Sequence, residues 1–162
     1  MTTQTTNYIN LHAQGIGFLK RVREVKLNKG RKTSFWSADI SMMHGETGVD
    51  NGITYVQFQV NPANQECADI IQHYAEQANS SDFSVRIGAR VSDFFPETFT
   101  LTKGANAGQI RTVLKGRLLL IFNVWVKDKR HPNAQFELVY ERPRADVPAQ
   151  NESQDESQEA SA

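Results

Sequence analysis

Within residues 35–126, four separate stretches alternate apolar and polar residues with a period of two, and that period commits a segment to a half-buried β-strand rather than a helix. In FWSADISMM, Trp36, Ala38, Ile40 and Met42 share one face, with Phe35, Ser37, Asp39 and Ser41 on the other. In ITYVQFQV the apolar face is Thr54, Val56, Phe58 and Val60, opposite Ile53, Tyr55, Gln57 and Gln59. FSVRIGARV turns Phe83, Val85, Ile87, Ala89 and Val91 inward, opposite Ser84, Arg86, Gly88 and Arg90. LKGRLLLIFNVWV sets Leu114, Leu118, Leu120, Phe122, Val124 and Val126 against Lys115, Arg117, Asn123 and Trp125. AQFELVY adds a last strand with Phe136, Leu138 and Tyr140 in phase, and GIGFLKRVREVK a first one. In that first strand the apolar parity breaks at Lys20, which predicts a bulge or bend near Gly15 and Gly17. Trp36, Phe58, Phe83 and Phe122 are expected in the core.

A single segment has helical spacing. Asn61 is the expected N-cap and Pro62 the first helical residue, followed by Cys67, Ile70, Ile71, Tyr74, Ala75 and Ala78 on one face, with Asn79 to Asp82 as the end. Three strands, a helix and then two or three further strands, without internal repeats, match the order of an OB-fold. The predicted fold is therefore mainly β, an OB-fold-like five-stranded barrel with one helix between strands 3 and 4. A length of 162 residues and an apolar fraction of 39% suit one such domain, assigned to residues 8–142 after a flexible N-terminus at 1–7. From Pro143 the composition shifts to RADVPAQNESQDESQEASA, without aromatics. Such a stretch cannot bury enough apolar surface to offset chain entropy, so residues 143–162 are expected to form a disordered acidic tail.

The formal net charge of zero conceals blocks of opposite sign. Residues 20–32 carry seven basic groups against Glu24 alone, residues 33–85 seven acidic groups and no basic one, and residues 86–144 eleven basic against five acidic. The last eighteen residues hold five acidic groups, which leaves the body at +5. This asymmetry points to a polyanionic partner. Cys67 is the one cysteine, which excludes an internal disulfide and paired-cysteine zinc sites, and its place on the apolar helix face predicts an inert thiol. No stretch is apolar enough to span a membrane, and the start MTTQTTN lacks signal-peptide character, so a cytoplasmic protein without membrane contact is expected. His12, His44, His73 and His131 show no metal-ligand spacing; His44 near Asp39 and Glu46 is the weak exception. KGANAG lacks the Gly-Lys-Ser/Thr of a phosphate loop, GIG precedes a strand rather than a helix, and no Ser/His/Asp arrangement is evident. The expectation is a non-enzymatic protein with no catalytic residues, metal or cofactor.

An OB-fold binds oligonucleotides with its strand 2 and 3 face and with the loops joining strands 1 to 2 and 4 to 5. Both loops are basic here. The first, KLNKGRKT, holds Lys29, Arg31 and Lys32; the second, within TLTKGANAGQIRTVLKGR, has Gly104 and Gly108 flanked by Lys103, Arg111, Lys115 and Arg117. Single strands need cations along the phosphates and aromatic faces for the bases on one surface. Alternation puts Phe35, Tyr55 and Trp125 on the more polar side of their strands together with Arg86 and Arg90. Phe94 and Phe95 follow strand 4, one expected to plug a barrel end and the other to be exposed. These residues form the expected nucleic-acid-binding set.

GIGFLKRVREVK, FWSADISMMHG, TYVQFQV leading into the helix, and FSVRIGARVSDFFPETFT with LKGRLLLI resemble a family of replication-associated proteins of bacterial integrative and conjugative elements, over roughly residues 8–127. RVREVK and the PETFT-to-LKGRLL segment are the most specific parts. More remotely the chain is similar to bacterial single-stranded-DNA-binding proteins, which carry a stacking aromatic where Tyr55 stands and another near Phe94 and Phe95. The resemblance implies a homo-oligomeric protein that handles single-stranded DNA during replication or transfer of a mobile element. The tail departs from that pattern: it ends in QEASA and lacks the acidic-hydrophobic tip that recruits partners. An alternative, motivated by the acidic stretch 33–85, is an OB-fold adaptor for replication or conjugation proteins with incidental DNA affinity.

Overall fold

The computed structural model describes residues 9–27 and 34–143. The N-terminus at 1–7, the tail from residue 144, and Lys29, Arg31 and Lys32 lie outside the described residues. Alternation becomes six strands, β1 (His12–Lys26), β2 (Ser34–Gly45), β3 (Ile53–Pro62), β4 (Phe83–Thr100), β5 (Ile110–Asp128) and β6 (Glu137–Glu141), with helices α1 (Gln65–His73) and α2 (Ala75–Asn79) between β3 and β4. Antiparallel pairing joins β3, β2, β1, β4, β5 and β6 in that order. A parallel pairing from Phe58↔Leu114 to Pro62↔Leu118 then links β3 to β5, closing a ring of five strands with β6 appended to β5. The result is an OB-fold-like barrel, as the order of elements predicted.

Inside the ring, Leu19, Ile40, Phe58, Val60, Val85, Ile87, Val91, Leu118, Ile121 and Val124 are all buried. One mouth is stopped by α1, which inserts Cys67 and Ile71 into the same cluster. At about 25 cal/mol per Å² of apolar surface removed from water, burial of one such aliphatic side chain contributes about 1.5–3 kcal/mol. Gly17 of β1 lies where the wall is tightest. A Cβ there would stand 2.7 Å from the Ser41 carbonyl oxygen and 2.8 Å from Ile40 Cγ2, whereas one on Gly15 would meet nothing within 4 Å.

Several details differ from the expectations. The parity break in β1 is a bulge between Lys20 and Arg23, not a bend near the glycines. It is formed by Arg21 at φ 48°, and Asn79 holds it by accepting from the Val22 N–H at 2.8 Å and donating to the Val22 carbonyl at 2.8 Å. Asn61 and Pro62 do not start the helix, because their pairing with Arg117 and Leu118 keeps them in β3. The N-cap is Asn64, whose Oδ1 accepts from the Cys67 N–H at 2.9 Å and whose Nδ2 donates to the Leu119 carbonyl at 2.9 Å. Tyr74, at φ −99° and ψ 8°, divides the expected single helix in two.

Strand 4 continues through FFPETFT to Thr100 and β5 begins at Ile110, so Arg111 belongs to β5 rather than to a loop, in one strand with Lys115 and Arg117. Register shifts between β4 and β5 at Gly88/Ala89 and Arg90/Val91 leave Phe122 and Leu119 as extra residues. Each extra residue reverses the parity that follows it. Phe122 and Leu120 are consequently only partly buried, and Ile121 takes the core position expected of Phe122. Phe83 is likewise only partly buried, under the Arg130 guanidinium 4.9 Å from its ring centre. Phe58 is buried and Trp36 packs against the core, as expected. Among the described residues no helix is long and apolar enough to cross a membrane.

Gly17→Ala is expected to cost about 1–3 kcal/mol by overpacking, and Gly15→Ala less than about 1 kcal/mol; urea denaturation of the two variants checks the contrast. Burial pushes the Cys67 thiol up to about 11, so a disulfide reagent at pH 8 should label it only after unfolding, and rapid labelling of the native protein would contradict this packing.

Candidate nucleic-acid interface

Directly paired residues of neighbouring strands present their side chains on one face, so the register defines what shares the outer surface. Gln57 pairs with Ser41, Ser41 with Phe18, Phe18 with Arg86, and Arg86 with Trp125. This row crosses the outside of the barrel. Phe136, just before β6, folds over it with its ring centre 6.3 Å from that of Phe18, while Tyr55 approaches Phe18 from the other side at 6.4 Å. The Arg86 guanidinium lies between two rings, 4.2 Å from the centre of Phe136 and 5.2 Å from that of Trp125. Its buried Nε has no hydrogen-bond partner among the described residues. Lys20 approaches Phe18 and Lys127 approaches Phe136, at 6.0 and 5.7 Å from the ring centres. Such contacts are worth about 0.5–2 kcal/mol each according to their exposure.

The ribbon of β4 and β5 repeats this combination along its length. Arg90 donates twice to Gln14 Oε1, at 3.0 and 2.8 Å, and holds its guanidinium 5.4 Å from the Phe122 ring centre. Beyond a further irregularity at Asp93, where φ is 53°, Phe95 pairs with Lys115 and Phe99 with Arg111. Four residues along a strand separate Phe95 from Phe99 by about 13 Å, and the two are 55% and 42% exposed. Trp125/Arg86, Phe122/Arg90, Phe95/Lys115 and Phe99/Arg111 thus form a series in which each aromatic has a cation beside it. Past Ser92 and Leu114, β4 and β5 pair only with each other among the described residues. The outer part of the ribbon therefore projects from the ring as an arm, with Lys103 in its exposed tip.

Tyr55, Arg86 and Trp125 thus come together, and Arg90, Phe95, Lys103, Arg111 and Lys115 follow along the ribbon. Lys115 also pairs with Glu97 at 2.9 Å, and Arg117 with Asp93 at 3.6 Å. Phe35, opposite Val25 at the start of β2, is 38% exposed and stands apart from the Phe18 row. Phe94 turns inward, edge-on to Phe58 with ring centres 5.5 Å apart. It plugs the barrel end, leaving Phe95 as the exposed member of the pair. A Cβ on Gly116 would come within 3.0 Å of Phe94 Cβ, so that close fit requires a glycine.

Sequence reasoning missed Phe18, Phe136, Phe99 and Phe122. Phe18 alternates with Leu19 and was legible as outward-facing; Phe122 was hidden by a bulge; Phe136 precedes β6 and reaches the surface by tertiary contact alone. Asp128, at the end of β5, is held down at about 2 by hydrogen bonds from the Arg130 side chain, so Arg130 has its own anion. The weak metal alternative finds no cluster among the described residues: Asp39 binds Arg21 and Arg23, and His44 meets the Thr54 hydroxyl at 2.9 Å.

No curated protein matches the chain. The profile of one family, described as a protein of unknown function (DUF3577), matches residues 2–142, which takes in every strand and helix of the barrel. The chain belongs to the DUF3577 family.

Proposed function

We propose that this protein is a non-enzymatic single-stranded-DNA-binding protein that holds DNA by base stacking and phosphate neutralisation. The supporting observation is the series of aromatic–cation pairs along the outer face of β4 and β5, joined at the barrel to the Phe18, Tyr55 and Phe136 group. Bases stack on any exposed π-face and phosphates meet any nearby cation, so a repeated pair of this kind suits a sequence-tolerant ligand. The proposed setting is replication or transfer of an integrative conjugative element, in the cytoplasm and as a homo-oligomer. That setting rests on the resemblance of RVREVK and PETFT-to-LKGRLL to replication-associated proteins of such elements.

Titration with oligo-dT should quench Trp125, and the quench should disappear in Trp125→Phe. If roughly five phosphates are neutralised, the log–log salt slope is about −3 to −4, at about 0.7 per phosphate. Absence of any salt-sensitive binding would sink the reading, and equal affinity for duplex would redirect it to general nucleic-acid binding. Tyr55→Ala and Phe95→Ala should each weaken binding by about 1–3 kcal/mol if each ring carries one base, measured by fluorescence anisotropy of labelled oligo-dT.

A second reading, an adaptor for replication or conjugation proteins, draws on the arm, where Ile110 is 70% exposed with no described strand beside it except β4. It is favoured if Tyr55→Ala and Trp125→Ala leave DNA affinity unchanged while Ile110→Ser abolishes capture of a replication protein.

A further inference from the structure

The bulge in β1 has a chemical consequence. In unbroken alternation the stretch Lys20-Arg21-Val22-Arg23 would turn two of its members inward, and with Val22 in the core the basic residues would diverge. Here Val22 is 4% exposed, while Lys20 faces Asp39 and Arg23 faces Ser37 on the outer side of β2. Arg21 occupies the left-handed backbone region at φ 48°, which is uncommon for a residue with a long side chain and persists where surrounding contacts impose it. Asn79 imposes it by holding both the N–H and the carbonyl of Val22. Three cations are thereby gathered on one rim.

That rim borders an open groove of about 870 Å³ whose floor includes Phe18, Tyr55 and Ser84 and whose wall is the end of α2 at Asn79–Ser81. Lys20, Arg21, Arg23 and Lys129 line it, and no carboxylate does among the described residues. Asp39, just outside, is shared by Arg21 at 2.9 Å and Arg23 at 3.3 Å, so one carboxylate serves two guanidinium groups. The far wall is tied down by the Lys129 N–H donating to the Asp82 carbonyl at 2.8 Å. Phe18 and Tyr55 of this groove are also the near end of the aromatic surface.

We propose that this groove is a phosphate-binding segment of the polynucleotide path, where a single strand leaving the Tyr55–Phe18 pair runs along the rim formed by the β1 bulge and the end of α2, which Asn79 ties together. This inference rests on the single-stranded-DNA reading above and assigns part of that interface to residues outside the arm. Its occupant is a single-stranded polynucleotide, whose phosphates meet the cations of the rim and whose bases meet the Phe18 and Tyr55 rings.

The test is the salt dependence of binding to oligo-dT of about 20 nucleotides, long enough to exceed the footprint of one OB-fold. Arg21→Gly removes a cation while placing at φ 48° a residue that accepts that conformation, so its far-UV circular dichroism should match wild type. Combined with Lys129→Ala it should flatten the log–log slope by about 1.4, since each lost phosphate contact removes about 0.7. Lys129→Ala alone should flatten it by about 0.7, which keeps the test decisive if the double variant folds poorly. Arg142→Gln, on the α1 side of the barrel where Arg142 pairs with Glu66 at 3.0 Å, should leave the slope unchanged. A wild-type slope in the groove variants, with binding still weakened by Phe95→Ala, overturns the groove and leaves the function standing. An equal change in Arg142→Gln overturns it as well, by reducing it to general charge. No binding by wild type overturns both.

Discussion

Five residue pairs between β3 and β5, from Phe58↔Leu114 to Pro62↔Leu118, convert an open sheet into a barrel, and the other features depend on that closure. It joins the two ends of the five-strand order, so each of these strands gains a neighbour on both sides and the interior becomes a single cluster that α1 can stopper. It also binds Asn61 and Pro62 into the sheet, which moves the helix start to Asn64 and links that cap to Leu119 of β5. Because β3 occupies β5 only as far as Leu114, the remainder of β4 and β5 is released from the ring as a free arm. The barrel and the projecting ribbon are two results of one short pairing.

Irregular positions then decide which side chains meet the solvent. Strict alternation would commit β4 and β5 to a single face assignment over eighteen and nineteen residues, although a strand this long must coil to stay in a closed barrel. Extra residues at Phe122, Leu119 and Asp93 absorb the coiling and reset the parity each time. The same device in β1 keeps Val22 inside while Lys20, Arg21 and Arg23 stay outside. Bulges usually re-aim side chains near functional surfaces, and here each lies beside an aromatic–cation contact or a cluster of basic residues.

The electrostatics of the two outer surfaces differ in kind. On the arm and at its base, Lys115 and Arg117 each have their own carboxylate, Glu97 and Asp93. At the barrel, Arg86 instead lies between aromatic faces, its buried Nε lacking an acceptor among the described residues, and Arg21 with Arg23 share Asp39. Exposed ion pairs contribute little to stability, about 0–1 kcal/mol, so the arm's cations remain available in exchange for a phosphate. A guanidinium already held near two rings is oriented in advance, which limits the entropy lost when it meets an anion.

By itself the sequence determined the strands, the barrel order, the helix between β3 and β4, the burial of Phe58 and the outward placement of Tyr55, Arg86 and Trp125. All of these follow from local alternation and from the order of elements, which needs no knowledge of partners. Tertiary structure alone decided the bulge positions, the exposure of Phe122, the inward turn of Phe94, the reach of Phe136 across Arg86, and the collection of Lys20, Arg21, Arg23 and Lys129 around one groove. The reason is geometric. A period of two states which residues share a face only until the first extra residue, and where that residue falls is set by how a neighbouring strand coils to close the ring. Phe18 of β1, Arg86 of β4 and Phe136 before β6 are distant in the chain, and the pairing of β1 with β4 together with the fold of Phe136 over that row makes them neighbours.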